Sequence, residues 1–287
     1  MKRLPGLLII SLIFLLAGSI AYGQGLGLEE GKIDWEQGVI KVYGFGAMPE
    51  KKNKSVAKLL AQRAAKADAY RNAAEYVEGI AVSSSTEVEE YITTSDQISL
   101  EVSGLIKKGR FTTIQYNSDG TCRVTLEVPL AGPGGLTSFF EKKVKEETPS
   151  YPIADQEKYI EEENKVGQET KVEETYTGVI IDTRGLRIQP ALYPQIFDTD
   201  GYLLYGPTML EANHNDRTMV AYSRSMDKAK EMARVGDNAL ILNANSRVKS
   251  TSKPTDIVLT NQDAGAFLKV DKQSDVLPNR AVIFIID

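Results

Sequence analysis

Histidine and cysteine carry much of the acid–base, nucleophilic and metal chemistry that proteins perform near neutral pH. This chain has one of each, His214 and Cys122. A single histidine excludes a helical two-histidine zinc motif. A single cysteine excludes a Cys-x-x-Cys site and any intrachain disulfide. His214 stands in the polar run Glu211-Ala212-Asn213-His214-Asn215-Asp216, which suits a surface loop. A Ser-His-Asp triad around it would have to be assembled from distant parts of the chain. Asp198-Thr199-Asp200-Gly201 has the opening of a calcium loop. The full loop needs a third ligand and a later glutamate at fixed spacing. Tyr202 and Leu203 follow instead, so turn chemistry accounts for the aspartates. Asp182, Arg184 and Asp237 are expected to pair as a buried polar cluster beneath a sheet, a structural use of charge.

Glycine motifs add nothing catalytic. Gly44-Phe45-Gly46 opens like a dinucleotide turn, but Pro49 occupies the third glycine position. Neither a phosphate-loop signature nor a Gly-x-Ser-x-Gly elbow occurs. Asn53-Lys54-Ser55 fits the glycosylation sequon, a three-residue match that arises readily by chance. The reading is therefore no catalytic residues, no metal ligands, no cofactor site, and not an enzyme.

The elements that would position these residues divide into two groups. In the first, Val39 to Phe45 reads as a short strand closed by Gly44, Gly46 and Pro49. A long alanine-rich helix follows from Lys54 to Val77, with Val56, Leu60, Ala64, Ala67, Tyr70, Ala74 and Val77 as its expected buried stripe. Gly79 stops it. Ile80 to Ile92 alternates like a strand, and Asp96 to Ile106 reads as a second helix capped by Ser95. Gly109–Tyr116 and Thr121–Leu130 form a hairpin about Asn117-Ser118-Asp119-Gly120. In its second strand Cys122 shares a face with Val124, Leu126 and Val128, which points it into the core, away from Arg123.

Pro133 to Gly135 marks the exit from this unit, and Glu141 to Glu174 is loaded with Glu and Lys. The second unit begins near Tyr176. Its strands are Val179–Ile181, Gln195–Phe197, Tyr202–Tyr205, Ala239–Leu242, Ile257–Leu259 and Val282–Ile286. Short helices are expected at Met226–Arg234, capped by Ser225, and at Thr260–Phe267, capped at Thr260 with Asp263 three residues on. The last strand lacks polar alternation, which argues burial on both faces.

At the N-terminus, Lys2 and Arg3 precede the apolar run Leu7–Leu16 and the small residues Ala17, Gly18, Ser19, Ala21 and Gly23. This is the layout of a secretory leader, with the mature chain expected to start at Gln24. With no cysteine after the run, no lipid attachment is expected there. The net charge of −5 becomes more negative once Lys2 and Arg3 leave. An acidic globule does not suit nucleic acid or anionic lipid as a partner. The fold class is thus α+β: a leader at 1–23, a β-α-β-β type domain at 36–131, a charged linker at 139–175, and a second α+β domain at 176–287.

One likeness is carried by particular residues. The strand end Gly44-Phe45-Gly46-Ala47, the helix segment Ala64-Ala65-Lys66-Ala67-Asp68-Ala69-Tyr70-Arg71-Asn72-Ala73-Ala74 and the run Gly79-Ile80-Ala81-Val82 follow in order. Together they resemble the domain shared by the Helicobacter-type surface lipoprotein family and the N-terminal part of flagellar assembly T protein. The resemblance spans roughly 39–130. It implies a helix packed on a small curved sheet, and it carries over no catalytic residue. The second unit, through Gly178–Leu186 and Arg234–Asn238, resembles a domain found in exported bacterial proteins of unassigned role.

Three functions are open at this point. The first is a non-catalytic interaction or scaffold module of the periplasm or cell envelope, with envelope or appendage proteins as partners and a homo-oligomer as one form. The second is a flagellum-associated accessory protein. The third is a carboxylate-based hydrolase of cell-wall sugar, which would need two facing acids across a cleft. No membrane span is expected after the leader is removed.

Overall fold

The computed structural model describes residues 31–50, 52–159, 175–210, 216–249 and 251–287. The expected leader, residues 160–174 of the expected linker, and His214 lie outside them. The fold is α+β throughout.

Strand alternation builds the N-terminal sheet. β1 (Gly31–Asp34), β2 (Val39–Ala47), β3 (Arg110–Tyr116) and β4 (Thr121–Pro129) are antiparallel in the order β1-β2-β4-β3. Ile40 and Val42 of β2, and Cys122, Val124, Leu126 and Val128 of β4, are buried on one face. β1 has no counterpart in the sequence reading; a short turn through Trp35 joins it to β2.

The helix α1 (Lys54–Glu78) covers that face. Asn53 caps it, its Oδ1 accepting from the Ser55 N–H at 2.9 Å. The buried stripe is Ala57, Ala61, Ala65, Ala69, Ala73 and Val77. This corrects the expected stripe, which shares only Val77 with it. The cause is distance. A Cβ placed on Gly44 would sit 2.3 Å from the Ala65 carbonyl oxygen and the Ala69 nitrogen, and one on Gly46 would sit 2.2 Å from the Ala61 oxygen. Helix and sheet approach so closely that only alanine fits between them, as glycine in a strand permits. Val56 and Leu60, the larger residues, are left 46% and 38% exposed.

α1 also seals an edge. β1 pairs with β2 only through Val42, so β2 continues beyond it. There Asp68 Oδ2 accepts from the Phe45 N–H at 2.9 Å, and Asn72 Nδ2 donates to the Tyr43 carbonyl at 2.8 Å. Backbone groups that a neighbouring chain would seek are already satisfied.

The segment after α1 is not the expected strand. Ala81 forms only isolated bridges, and α2 (Val88–Thr94) begins at once. Ser83 to Thr86 close a tight turn, with Val82 and Ser83 both donating to the Thr86 carbonyl. Glu87 and Glu90 then form a reciprocal cap, a local device that outweighs the alternating pattern. α3 (Asp96–Lys107) starts where expected, capped by Ser95, and buries Ile98, Val102, Leu105 and Ile106.

The C-terminal half has two sheets. β5 (Gly178–Asp182), β8 (Ala221–Ser223), β9 (Ala239–Asn243) and β12 (Val282–Ile285) are parallel in the order β8-β12-β5-β9. The last strand is central and wholly buried, as its apolar run implied. β6 (Ile196–Phe197), β7 (Leu203–Tyr205), β10 (Ser246–Arg247) and β11 (Ile257–Val258) form the second sheet, ordered β10-β11-β6-β7. α5 (Met226–Glu231) is shorter than expected and α6 (Asn261–Ser274) longer, each capped by the residue read as its cap, Ser225 and Thr260.

The stretch read as a linker begins inside structure. α4 (Leu136–Glu147) buries Leu136, Phe140 and Val144. Its charges lie on the other side, and charge density alone hid this one-sided apolar spacing. Farther on, Leu203 donates to the Pro152 carbonyl at 2.8 Å and Ala154 donates to the Leu203 carbonyl at 3.1 Å, so residues 152–154 lie along the β7 edge. The two halves share one hydrophobic core that includes Val42, Phe140, Tyr193 and Phe284. Across their boundary Leu192 and Tyr193 donate to the carbonyls of Ala81 and Val82, each at 2.9 Å, and the Tyr193 hydroxyl donates to the Thr137 carbonyl at 2.6 Å. Among the described residues no helix is long and apolar enough to cross a membrane.

Candidate functional site

The second sheet forms one wall of a groove of about 500 Å³. The β6–β7 turn, through Asp198, Thr199 and Gly201, faces the β10–β11 segment, through Arg247, Lys249 and Asp256. Tyr151 packs edge-on against Phe197, with ring centroids 4.9 Å apart. Phe197, Val248 and Val258 supply the apolar lining.

The two carboxylates in this groove are committed to the fold. Asp198 Oδ1 accepts from the N–H groups of Asp200 and Tyr202 at 3.0 and 2.8 Å. Its Oδ2 accepts from the Tyr159 hydroxyl. Burial, reinforced by that carboxylate, pushes the Tyr159 phenol well above its ordinary value. The turn chemistry read for Asp198-Thr199-Asp200-Gly201 is what these residues do, with Gly201 at φ 87°. Asp256 Oδ1 accepts from the Gln195 N–H at 3.0 Å and the Thr255 hydroxyl at 2.8 Å. Burial pushes its carboxyl above the usual aspartate range. Arg247 and Lys249 are exposed at the rim. The groove thus shows cations to solvent, while its two acids accept hydrogen bonds from backbone N–H groups and from the hydroxyls of Tyr159 and Thr255.

Other residues singled out by the sequence are placed apart. Arg184 Nε donates to Asp182 Oδ1 at 2.9 Å, and this pairing holds the Asp182 carboxyl below its ordinary value. The pair is at the surface, and Asp237 is exposed, so the expected buried cluster of the three does not form. The reason is local: Asp182 ends β5 and Arg184 folds back on it across two residues. Cys122 is buried, its thiol pushed up by burial, while Arg123 lies on the opposite face over the ring of Tyr43. Among the described residues no three acidic, cysteine or histidine side chains are grouped to hold a metal.

Sequence reasoning missed two buried arginines. Arg234 donates to the Thr218 and Arg280 carbonyls at 2.9 and 3.0 Å, and burial pushes it down to about 10. Arg280 is 2% exposed and lies 3.5 Å from Glu141 of α4. Both sit among polar or turn residues, Arg234 before Gly236-Asp237 and Arg280 after Pro278-Asn279, so no local pattern marked them as buried. The two tie loops together through carbonyl contacts, Arg234 to Thr218 and Arg280, and Arg280 to Arg217.

The N-terminal sheet presents an edge strand. β3 closes the N-terminal sheet, and six of its seven residues are exposed.

Residues 178–287 match the family model described as Treponema pallidum Tp0624, second domain. The match begins at the first residue of β5. No curated protein matches the chain.

Proposed function

We propose that this chain is a non-catalytic, exported interaction or scaffold module of the bacterial envelope. The observation that carries the reading is the contrast between two stretches of the N-terminal sheet that lack a partner strand, the end of β2 beyond β1 and β3. The β2 edge beyond β1 is covered by Asp68 and Asn72. The β3 edge has no partner strand among the described residues, and six of its seven residues are exposed. A strand left in that state adds readily to another chain. Covering the end of β2 while leaving β3 open suits β3 as a docking strand.

The leader-like N-terminus supports export. The resemblance of residues 39–130 to the Helicobacter-type lipoprotein domain supports an envelope setting, and the glycine–alanine contact gives its motif a physical purpose. The match of 178–287 to a second domain of another bacterial protein supports a modular protein. Partners are envelope or appendage proteins, with a second copy of this chain as a further one.

The test is a photo-activated cross-linking residue in place of Gln115, an exposed position on β3, used in intact cells. Recovery of an envelope or appendage protein, or of a cross-linked dimer, is the expected result. A Gln115 probe that links to nothing, beside a working probe elsewhere on the chain, would remove the basis of the proposal.

A further inference from the structure

The first turns of α1 are built in a way the fold itself does not reward. From Lys52 to Ala67 the sequence holds five basic residues and no acidic one, in a chain whose net charge is −5. The first turn of the helix carries no carboxylate. The amino end of a helix bears partial positive charge and is stabilised by acids, so cations there oppose it. Lys54, Lys58, Arg63 and Lys66 form no ion pair among the described residues; Lys58 lies over the Tyr116 ring at 5.1 Å and Lys66 over the Phe111 ring at 4.7 Å.

Beside two of these cations, Arg63 and Lys66, lies an apolar stripe. Val56, Leu59 and Leu60 are 46%, 48% and 38% exposed. Their spacing of three and four residues puts them on one side of the helix, turned away from the alanines that meet the sheet. Their packing contributes little to the core, and their charge surroundings contribute nothing to the helix.

We propose that this face docks on the surface of an anionic phospholipid bilayer. Val56, Leu59 and Leu60 enter the boundary between headgroups and acyl chains, and Arg63 and Lys66 beside them meet lipid phosphates. A helix with apolar residues on one side and cations beside them lies in the plane of such an interface. The overall negative charge does not oppose this, because attraction to a surface acts within about 10 Å and is set by the local patch. The inference goes beyond the role proposed for β3 and does not rest on it.

The experiment uses the chain from Gln24, which contains every described residue, sedimented with vesicles. Vesicles of phosphatidylglycerol and phosphatidylcholine are expected to carry the protein down and to release it as salt is raised. Phosphatidylcholine alone is expected to leave it in solution. The double variant Leu59→Glu, Leu60→Glu is expected to partition at least about tenfold less, with unchanged far-ultraviolet circular dichroism. Ile241→Glu, at an exposed position on β9, is expected to bind as the parent does. Equal binding to both vesicle types, equal binding by the double variant, or binding only to an acidic protein and never to vesicles would each overturn the proposal.

Discussion

The ring of Trp35 lies 4.8 Å, centroid to centroid, from the ring of Tyr222, tilted by 58°. Trp35 belongs to the turn between β1 and β2, and Tyr222 to β8 in the C-terminal sheet. The Tyr222 hydroxyl is held at both ends, accepting from the Ala191 N–H and donating to the Ala191 carbonyl, each at 3.0 Å. The N-terminal turn therefore packs on a fixed point of the other half, against the small cluster of Ile180, Ala221, Ile283 and Ile285. Trp35 is the only tryptophan in the chain, so its fluorescence reports this contact. Denaturant unfolding followed by fluorescence is expected to coincide with unfolding followed by circular dichroism, as for one cooperative unit. Trp35→Ala is expected to cost about 2 kcal/mol, below the range for a fully buried aromatic because the ring is half-buried. Two separated transitions would show that the halves unfold independently.

Glycine positions give a paired prediction. Gly44→Ala would drive a Cβ to 2.3 Å from the α1 backbone, which has no flexible atom to yield. A loss of about 3 kcal/mol is expected, at the upper end of overpacking costs. Gly104 lies within α3 with nothing within 4 Å of a Cβ, and Gly104→Ala is expected to gain about 0.5–1 kcal/mol. Thermal melts of the two variants decide both. A neutral Gly44→Ala would show that α1 and β2 are less closely fitted than described.

The same contact explains what the sequence could and could not convey. The hairpin of β3 and β4, the cap residues Ser95, Ser225 and Thr260, and the buried last strand rest on local chemistry and were legible. The buried stripe of α1 was not. Val56 and Leu60 look like core because they are large, whereas the site was chosen by the width of the gap over Gly44 and Gly46, which is a property of two elements together. α4 was lost for a related reason: Phe140 and Val144 are too few to stand out among the charges of 141–147. The groove around Asp256 joins segments far apart in the chain, and nothing in any single segment announces it.

The ion pair between Arg280 and Glu141 links the C-terminal sheet to α4. Arg280 Nη1 donates to the Arg217 carbonyl, while Nη2 has no hydrogen-bond acceptor among the described residues and relies on Glu141 at 3.5 Å. Glu141→Gln leaves a guanidinium that is 2% exposed without its counter-charge. A loss of roughly 3 kcal/mol is expected, the low end for breaking a buried pair. Glu146→Gln, which breaks the exposed pair with Lys142 on the same helix, is expected to change nothing measurable. Equal denaturation midpoints for the two variants would show that Arg280 needs no counter-ion.

Asp256 makes stability depend on pH in a direction opposite to most aspartates. It is 1% exposed, and burial raises its carboxyl above the ordinary value near 4, while bonds from Ser84, Gln195 and Thr255 draw it partly back. A carboxyl with a raised value in the folded state holds its proton more tightly there than in the unfolded chain. Between the two values the folded state carries more bound protons, so its stability falls as pH rises through that window. Below about 4 both states are protonated and the penalty vanishes. In Asp256→Asn the Oδ1 acceptor for Gln195 and Thr255 is kept and the charge is gone. The melting temperature of the parent, measured against that of the variant, is therefore expected to drop as pH is raised from about 4 toward 7. Asp271 is raised in the same direction by burial, but it is present in both proteins and cancels in the difference. A gap between the two melting temperatures that stays constant with pH would mean that folding leaves the ionisation of Asp256 unchanged. It would also mean that the groove is wetter than its hydrogen bonds imply.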